Sequence, residues 1–235
     1  MNRENGSRAG RVFFVSGIDT GIGKTVATGL MARFLMSKGT DCTTVKMVQT
    51  GCDGFSEDLE AHRRMCGSGL LPEDSEGLTA PQIFKFPSSP SLAARLEGRS
   101  VDLGRISSCV DECARRRDVV LVEGAGGLLV PLSDDTLAAD FAASRGWTLV
   151  LVTCGRLGAV NHTLLSLEAA KARGMSVAGV VQNWHPEADA TIDADTEREI
   201  RRALDRMSLP QVVVRVPRTV EGEPLPQVDF SELFK

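Results

Sequence analysis

Near the start of the chain a short apolar run, residues 12–16, leads into Gly17-Ile18-Asp19-Thr20-Gly21-Ile22-Gly23-Lys24-Thr25, and helical periodicity begins at Lys24. Few folds accommodate that succession. A buried strand, a glycine-rich turn and a helix opened by Lys-Thr form a phosphate-binding loop, in which successive backbone N–H groups and the helix N-terminus face one anion. The cradle takes in Gly21, Ile22, Gly23, Lys24, Thr25 and Val26. The Lys24 ammonium is placed to reach β- and γ-phosphate oxygens, and the Thr25 hydroxyl to hold Mg²⁺. The spacing is irregular, with five residues between Gly17 and Gly23. A tight turn with incidental glycines would not need Gly-Lys-Thr where a strand meets a helix, so a nucleotide-phosphate site is the reading that the loop supports.

Behind the loop, short apolar β-branched runs alternate with helical stretches. Strands are expected at residues 12–16, 43–48, 119–123, 148–153, 177–182 and 211–216, and helices at 24–38, 58–65, 92–97, 103–117, 137–145, 159–173 and 193–207. The strand candidates are continuously apolar rather than alternating, the pattern of a parallel sheet covered on both faces. Gly39, Gly146 and Gly174 sit where helix C-terminal caps belong. The expectation is a single doubly wound α/β domain of the P-loop NTPase type with a mostly parallel sheet. It would occupy residues 11–235, behind a loose polar tail at residues 1–10.

Composition narrows the function further. Lys and Arg number 27 against 31 Asp and Glu, a formal net charge of −4. That balance carries no electrostatic footprint for nucleic acid or an anionic membrane. No apolar run approaches the ~18–20 residues that span a bilayer, and the first ten residues lack the apolar stretch of a secretory signal. A cytoplasmic protein is expected. The six cysteines form no CxxC pair and no Cys/His set, which points to reduced core thiols rather than zinc or disulfides.

In doubly wound sheets ligands bind beyond the carboxyl ends of the strands. There the second strand carries Lys46, then Thr50 and Gly51. A lysine at the end of a buried strand either snorkels to water or meets an anion, and a phosphate loop on a neighbouring strand favours the anion. The third strand ends in Glu123-Gly124-Ala125-Gly126-Gly127. An acid after an apolar strand is the Walker B arrangement, and the glycines allow close approach of backbone to a ligand. Mg²⁺ takes one or two carboxylates together with phosphates and water. Asp58 lies in a first helical turn, where acids commonly serve the helix dipole. After the fourth strand, Gly158-Ala159-Val160-Asn161-His162 opens a helix whose free N–H groups suit a carboxylate, and Asn183 ends the fifth. None of the three histidines, His62, His162 and His185, is assigned chemistry.

These stretches together resemble the dethiobiotin synthetase family: Gly-x-Asp-Thr-x-x-Gly-Lys-Thr, Lys46-x-Val48-x-Thr50-Gly51, Val122 through Gly127, Leu157-Gly158-x-x-Asn161-His162, and the Asn183 strand end. The resemblance covers roughly residues 12–183. It implies a ligase that makes dethiobiotin from 7,8-diaminopelargonic acid, CO₂ and ATP through a carbamate and a carbamic–phosphoric anhydride. It implies ATP as co-substrate and Mg²⁺ held by Thr25, Asp58 and Glu123. Lys24, Lys46 and Thr20 become the catalytic candidates. Thr20, Lys46, Thr50, Gly126, Gly127, Gly158 and Asn161 become the substrate-binding ones. Gly124, Ala125, Gly126, Asn183 and Pro217 join the phosphate loop, Asp58 and Glu123 in binding nucleotide. The resemblance further implies a homodimer with the substrate site at the subunit interface. Departures from the family pattern are Gly21, where some members have Glu; Thr50, where some have Ser; and a loop at 87–91 that lacks a histidine.

Two other readings compete. A cobyrinate-type amide ligase would need a glutamine-hydrolysing domain, for which this chain is expected to be too short. A ParA/MinD-like ATPase switch usually carries a second lysine early in the loop, and residues 18–22 contain none.

Overall fold

The computed structural model describes residues 9–220 and 222–235. In chain order it places β1 (Arg11–Gly17), α1 (Lys24–Ser37), β2 (Cys42–Lys46), β3 (Gln49–Thr50), α2 (Glu57–Cys66), α3 (Pro72–Ser75), β4 (Ile83–Phe84), α4 (Pro90–Leu96) and α5 (Leu103–Arg116). Then follow β5 (Val119–Gly127), α6 (Ala138–Ser144), β6 (Thr148–Cys154), α7 (Ala159–Ala172), β7 (Val177–Asn183), α8 (Ala190–Arg206) and β8 (Val213–Val216). The expected tail at residues 1–10 falls, for residues 1–8, outside the described residues. The Gly10 N–H already donates to the Ala114 carbonyl.

Among the described residues the main sheet has the order β2-β5-β1-β6-β7-β8, and each neighbouring pair is parallel. Its apolar runs are buried on both faces, as the continuous patterning requires: Phe14, Val15, Val120, Leu121, Val150 and Leu151 are wholly inaccessible. The strand order reverses about β1. From there β2 lies to one side beyond β5, while β6, β7 and β8 stack on the other. Such a reversal opens a crevice at the carboxyl ends of the strands, so β1, β2 and β5 deliver their last residues to one place.

Helix signals act where the sequence carries them. Ser56, Asp102 and Asp189 cap α2, α5 and α8 through their side-chain oxygens. Gly39, Gly146 and Gly174 take positive φ just past α1, α6 and α7, which frees the last carbonyls to close in a left-handed cap. The N-termini of α1 and α7 are different. Each is preceded by a left-handed glycine, Gly23 or Gly158, and has no side-chain cap, leaving the first N–H groups without a side-chain acceptor.

Two expectations are corrected. β2 stops at Lys46 rather than Val48, because the chain bends there and Gln49–Thr50 pairs with β4 as a separate two-stranded sheet. β5 continues through its glycines to Gly127, with a register shift opposite residues 15–17. Residues without side chains keep pairing there with the phosphate loop's own start, Gly17. The short α3, which its Pro72 start sets off, has no counterpart among the expected helices.

Candidate active site

Parallel pairing puts Lys46 of β2 directly opposite Glu123 of β5. Both are buried, at 5% and 1% exposure, and the Lys46 ammonium meets Glu123 Oε1 at 2.9 Å and Asp58 Oδ2 at 2.7 Å. Asp58 reaches this point because α2 starts at Ser56, whose hydroxyl accepts from the Leu59 N–H and donates to Gln49 Oε1. Thr25, in the first turn of α1, has its hydroxyl oxygen 2.8 Å from Asp58 Oδ1 and 3.1 Å from Glu123 Oε1. Lys24 is also buried and donates to the Asp19 carbonyl at 2.8 Å. Two ammonium groups, two carboxylates and a hydroxyl therefore converge at the ends of three strands and the starts of two helices.

The electrostatics follow from that crowding. Burial lowers the Lys24 pKa, helped by the neighbouring Lys46 charge, to about 8. For Lys46, burial alone would also lower it, but the Glu123 and Asp58 carboxylates outweigh that and hold it above the ordinary lysine value. Burial would raise Glu123, yet Lys46 and His62 outweigh it and hold the carboxyl well below the usual carboxylate range. Glu123 is ionised and Lys46 charged. An anion entering the cleft meets a preformed positive edge, and a cation meets oxygen atoms.

Around this cluster lies a cleft of about 750 Å³, lined among others by Thr20, Gly21, Gly23, Lys24, Thr25, Lys46, Thr50, Asp58, Glu123, Ala125 and Gly126. These residues lie far apart in sequence, and the fold gathers them. Pro87, Ser88, Ser89 and Pro90 form an opposing wall. Ile22 is buried beneath the phosphate loop, Val26 packs against the core, and Gly124 gives its carbonyl to Lys46. Asn183, at the end of β7, donates from Nδ2 to the carbonyls of Ile22 and Gly23 at 2.9 and 2.8 Å. A Cβ on Gly23 would sit 2.5 Å from that amide nitrogen, and the residue has φ +83°, so glycine is required there on two counts. Asn183 Oδ1 is buried and without a hydrogen-bond partner.

Other expected site residues lie apart from this cleft. Pro217 lines a separate shallow groove with Arg201, Arg215 and Gln227. Gly127 pairs with Gly17 behind the phosphate loop. Gly158 and Asn161 open α7 and face outward, and Leu157 just before them is 81% exposed. The segment ahead of α7 is tied to the phosphate loop by an ion pair between Arg156 and Asp19.

One sequence expectation fails. His62 has a constellation: it is wholly buried, with Nε2 2.7 Å from Glu123 Oε2 and Nδ1 3.0 Å from Thr44 Oγ1. Its separation from Glu123 by 61 positions hid the contact. The available signal was the one-turn spacing of Asp58 and His62, which places both on one helix face. The thiols follow expectation: the cysteines are free, and all but the half-buried Cys66 are buried.

A divalent cation is compatible with the donor set. Thr25 and the two carboxylates supply hard oxygens close together, while among the described residues no group of three or more His, Cys, Asp or Glu could hold a metal ion by itself. Mg²⁺ takes one or two carboxylates and completes its shell with waters and phosphate oxygens.

Known proteins share this chain's sequence over most of its length. The family described as an AAA domain matches the chain over residues 11–221. The chain is 44% identical over 198 residues to the ATP-dependent dethiobiotin synthetase BioD 2 of Pasteurella multocida (strain Pm70), covering 84% of this chain and 93% of that protein. It is 49% identical over 197 residues to the ATP-dependent dethiobiotin synthetase BioD of Chlorobaculum tepidum, covering 84% and 82%. Among solved structures, pNOB8 ParA bound to nonspecific DNA superposes with a TM-score of 0.53 at 11% identity, covering 93% of this chain and 90% of that one. At that identity the likeness concerns architecture alone.

Proposed function

This chain belongs to the dethiobiotin synthetase family, and on that premise we propose how its cleft carries out ATP-dependent dethiobiotin synthesis in the making of biotin. One amine of 7,8-diaminopelargonate adds to CO₂ and loses a proton, giving a carbamate. A carbamate oxygen attacks the γ-phosphorus of ATP and ADP leaves, forming a carbamic–phosphoric anhydride. The second amine then attacks the carbonyl carbon, loses its proton and expels phosphate, closing the cyclic urea.

The observation that carries this reading is the convergence of Lys24, Lys46, Thr25, Asp58 and Glu123 in one cleft. Phosphoryl transfer asks a protein mainly for positioning and for neutralisation of charge. The backbone of residues 21–26 cradles the phosphates, with Lys24 on the β,γ side. Lys46, at the floor between β2 and β5, neutralises the carbamate and the γ-phosphate as they approach. Thr25, Asp58 and Glu123 would hold Mg²⁺, which supplies charge neutralisation across the phosphates. Thr20, Thr50 and the backbone of Gly126, which line the cleft, bind the diamine, with Gly127 behind them, paired to Gly17. The family resemblance assigns the base to Asn183 and Pro217, at and just past the ends of β7 and β8 and beyond the lining of this cleft.

The outward-facing start of α7 supports a homodimer, in which Gly158 and Asn161 of one protomer meet the substrate carboxylate held by the other. Among the described residues no helix is long and apolar enough to cross a membrane. A ParA-like switch shares the architecture, but the substantial sequence identity is to synthetases.

The test is purified protein with ATP, Mg²⁺, bicarbonate and diaminopelargonate, followed by phosphate release and mass detection of dethiobiotin. Stoichiometric phosphate and dethiobiotin are expected. ATP hydrolysis that ignores the diamine and yields no dethiobiotin would sink the proposal.

A further inference from the structure

α2 brings two things to the cleft. Asp58 contributes a carboxylate directly, and His62, one turn later, contacts the far side of Glu123. Glu123 is ionised and can only accept, so His62 Nε2 carries a proton and donates to Oε2. That leaves Oε1 as the oxygen turned to Thr25 and Lys46. The carboxylate is divided: one oxygen is fixed to the scaffold and the other faces the reaction.

The ring is itself fixed. Thr44 Oγ1 lies 3.0 Å from Nδ1 and accepts from Arg63 Nη1 at 2.8 Å. Arg63 is held by both oxygens of Asp74, at 2.7 and 2.8 Å, and Asp74 also takes the Thr79 hydroxyl at 2.6 Å. Asp74, Arg63, Thr44, His62 and Glu123 thus form a continuous buried chain ending at the cleft. A leucine of similar size would fill the volume under α2. Only a donor would stop the Glu123 carboxylate from turning.

We propose that His62 is a positioning residue for phosphoryl transfer: by holding Glu123 Oε2 it presents Oε1 to the divalent cation of the nucleotide complex. The inference rests on reading Glu123 as a ligand of that cation. Hydrogen-bonded partners behind a metal ligand fix its orientation, and their loss typically costs about 10- to 100-fold in metal affinity or activity.

The decisive measurement is Mn²⁺ titration of the protein with ADP, followed by electron paramagnetic resonance, alongside the Mg²⁺ activation constant in turnover. His62→Leu is expected to weaken Mn²⁺ binding by roughly 10- to 100-fold and to raise the Mg²⁺ requirement in parallel, with the KM for diamine unchanged. His62→Gln, which retains an N–H donor at a similar reach, is expected to recover most of that loss. Thr44→Val, which removes the ring's other partner, is expected to weaken binding less than His62→Leu. If His62→Leu does not fold, the glutamine and valine variants decide. Unchanged Mn²⁺ affinity in His62→Leu, or a glutamine variant as impaired as the leucine one, overturns the inference and assigns His62 to packing. Glu123→Gln separates the two readings. Normal Mn²⁺ binding in that variant sinks the cation site and this inference with it. Weakened binding in Glu123→Gln but not in His62→Leu sinks the inference alone.

Discussion

Lys46 shows how much one residue carries here. Its ammonium sits between Asp58 and Glu123, and Lys46 and Glu123 hold each other charged in a buried place. Removing a preorganised charge-stabilising donor costs about 10²- to 10³-fold in turnover, and Lys46→Ala is expected to show that loss. The same substitution strips Glu123 of its ammonium, and breaking a buried pair costs roughly 3–5 kcal/mol. Turnover is therefore to be measured beside thermal melting. Near-normal turnover in a folded variant would remove Lys46 from the mechanism. Lys24 and Lys46 were legible in the sequence because each follows a strand, where α/β sheets put their chemistry. His62 was not. Its partners Thr44 and Glu123 lie on β2 and β5, and no local pattern connects them.

Among elements, α2 decides the site's geometry, since it carries both Asp58 and His62. It packs on α1 at Gly29, where an added Cβ would lie 2.6 Å from Met65 Sδ and 3.0 Å from Met65 Cβ. Alanine would improve helix propensity by up to about 1 kcal/mol. The Met65 Cβ cannot rotate away, however, and overpacking costs about 1–3 kcal/mol. Gly29→Ala is therefore expected to lower the melting temperature and raise the Mg²⁺ requirement as α2 shifts. A more stable variant with unaltered Mg²⁺ dependence would contradict this account.

α2 and α3 are tied by the Arg63–Asp74 pair, and α3 to the end of α5 by Arg117–Glu73. Burial alone would raise the carboxyls of Asp74 and Glu73. Their arginine partners outweigh it and hold both below the ordinary range. A depressed folded pKa contributes stability that is present above the unfolded value of about 4 and is lost as pH falls through the folded one. Urea unfolding is expected to show stability declining below about pH 4–5. In Asp74→Asn that acid limb should be shallower and the plateau at neutral pH lower. An acid limb of unchanged steepness in that variant would rule out the pair as its source.

For the whole molecule, the question is what covers the start of α7. Leu157 and Leu165 are 81% and 55% exposed, with Asn161 between them on the same exposed face. In the homodimer proposed above, this face is buried against the partner. Leu157→Asp is expected to give a monomer by sedimentation velocity that still binds ADP but makes little dethiobiotin. A variant that remains dimeric and fully active would place the interface elsewhere.

Some of this was decided by sequence alone. The parallel α/β class follows from continuously apolar strands alternating with helices, and the phosphate loop from Gly-Lys-Thr at a strand–helix junction. Both are local: periodicity, backbone freedom and a helix end lie within a few residues of one another. The candidate ligands could also be named, since strand ends are readable. Tertiary structure decided which of them meet. β5 lies between β1 and β2, so Glu123 stands beside Lys46, and α2 packs so that His62 reaches behind Glu123. Pro217 and Asn161, equally readable as candidates, lie outside the cleft. Hydrogen bonds and ion pairs act over about 3 Å in space whatever the separation along the chain. The path of the backbone, not the spacing of residues, sets who stands within that distance.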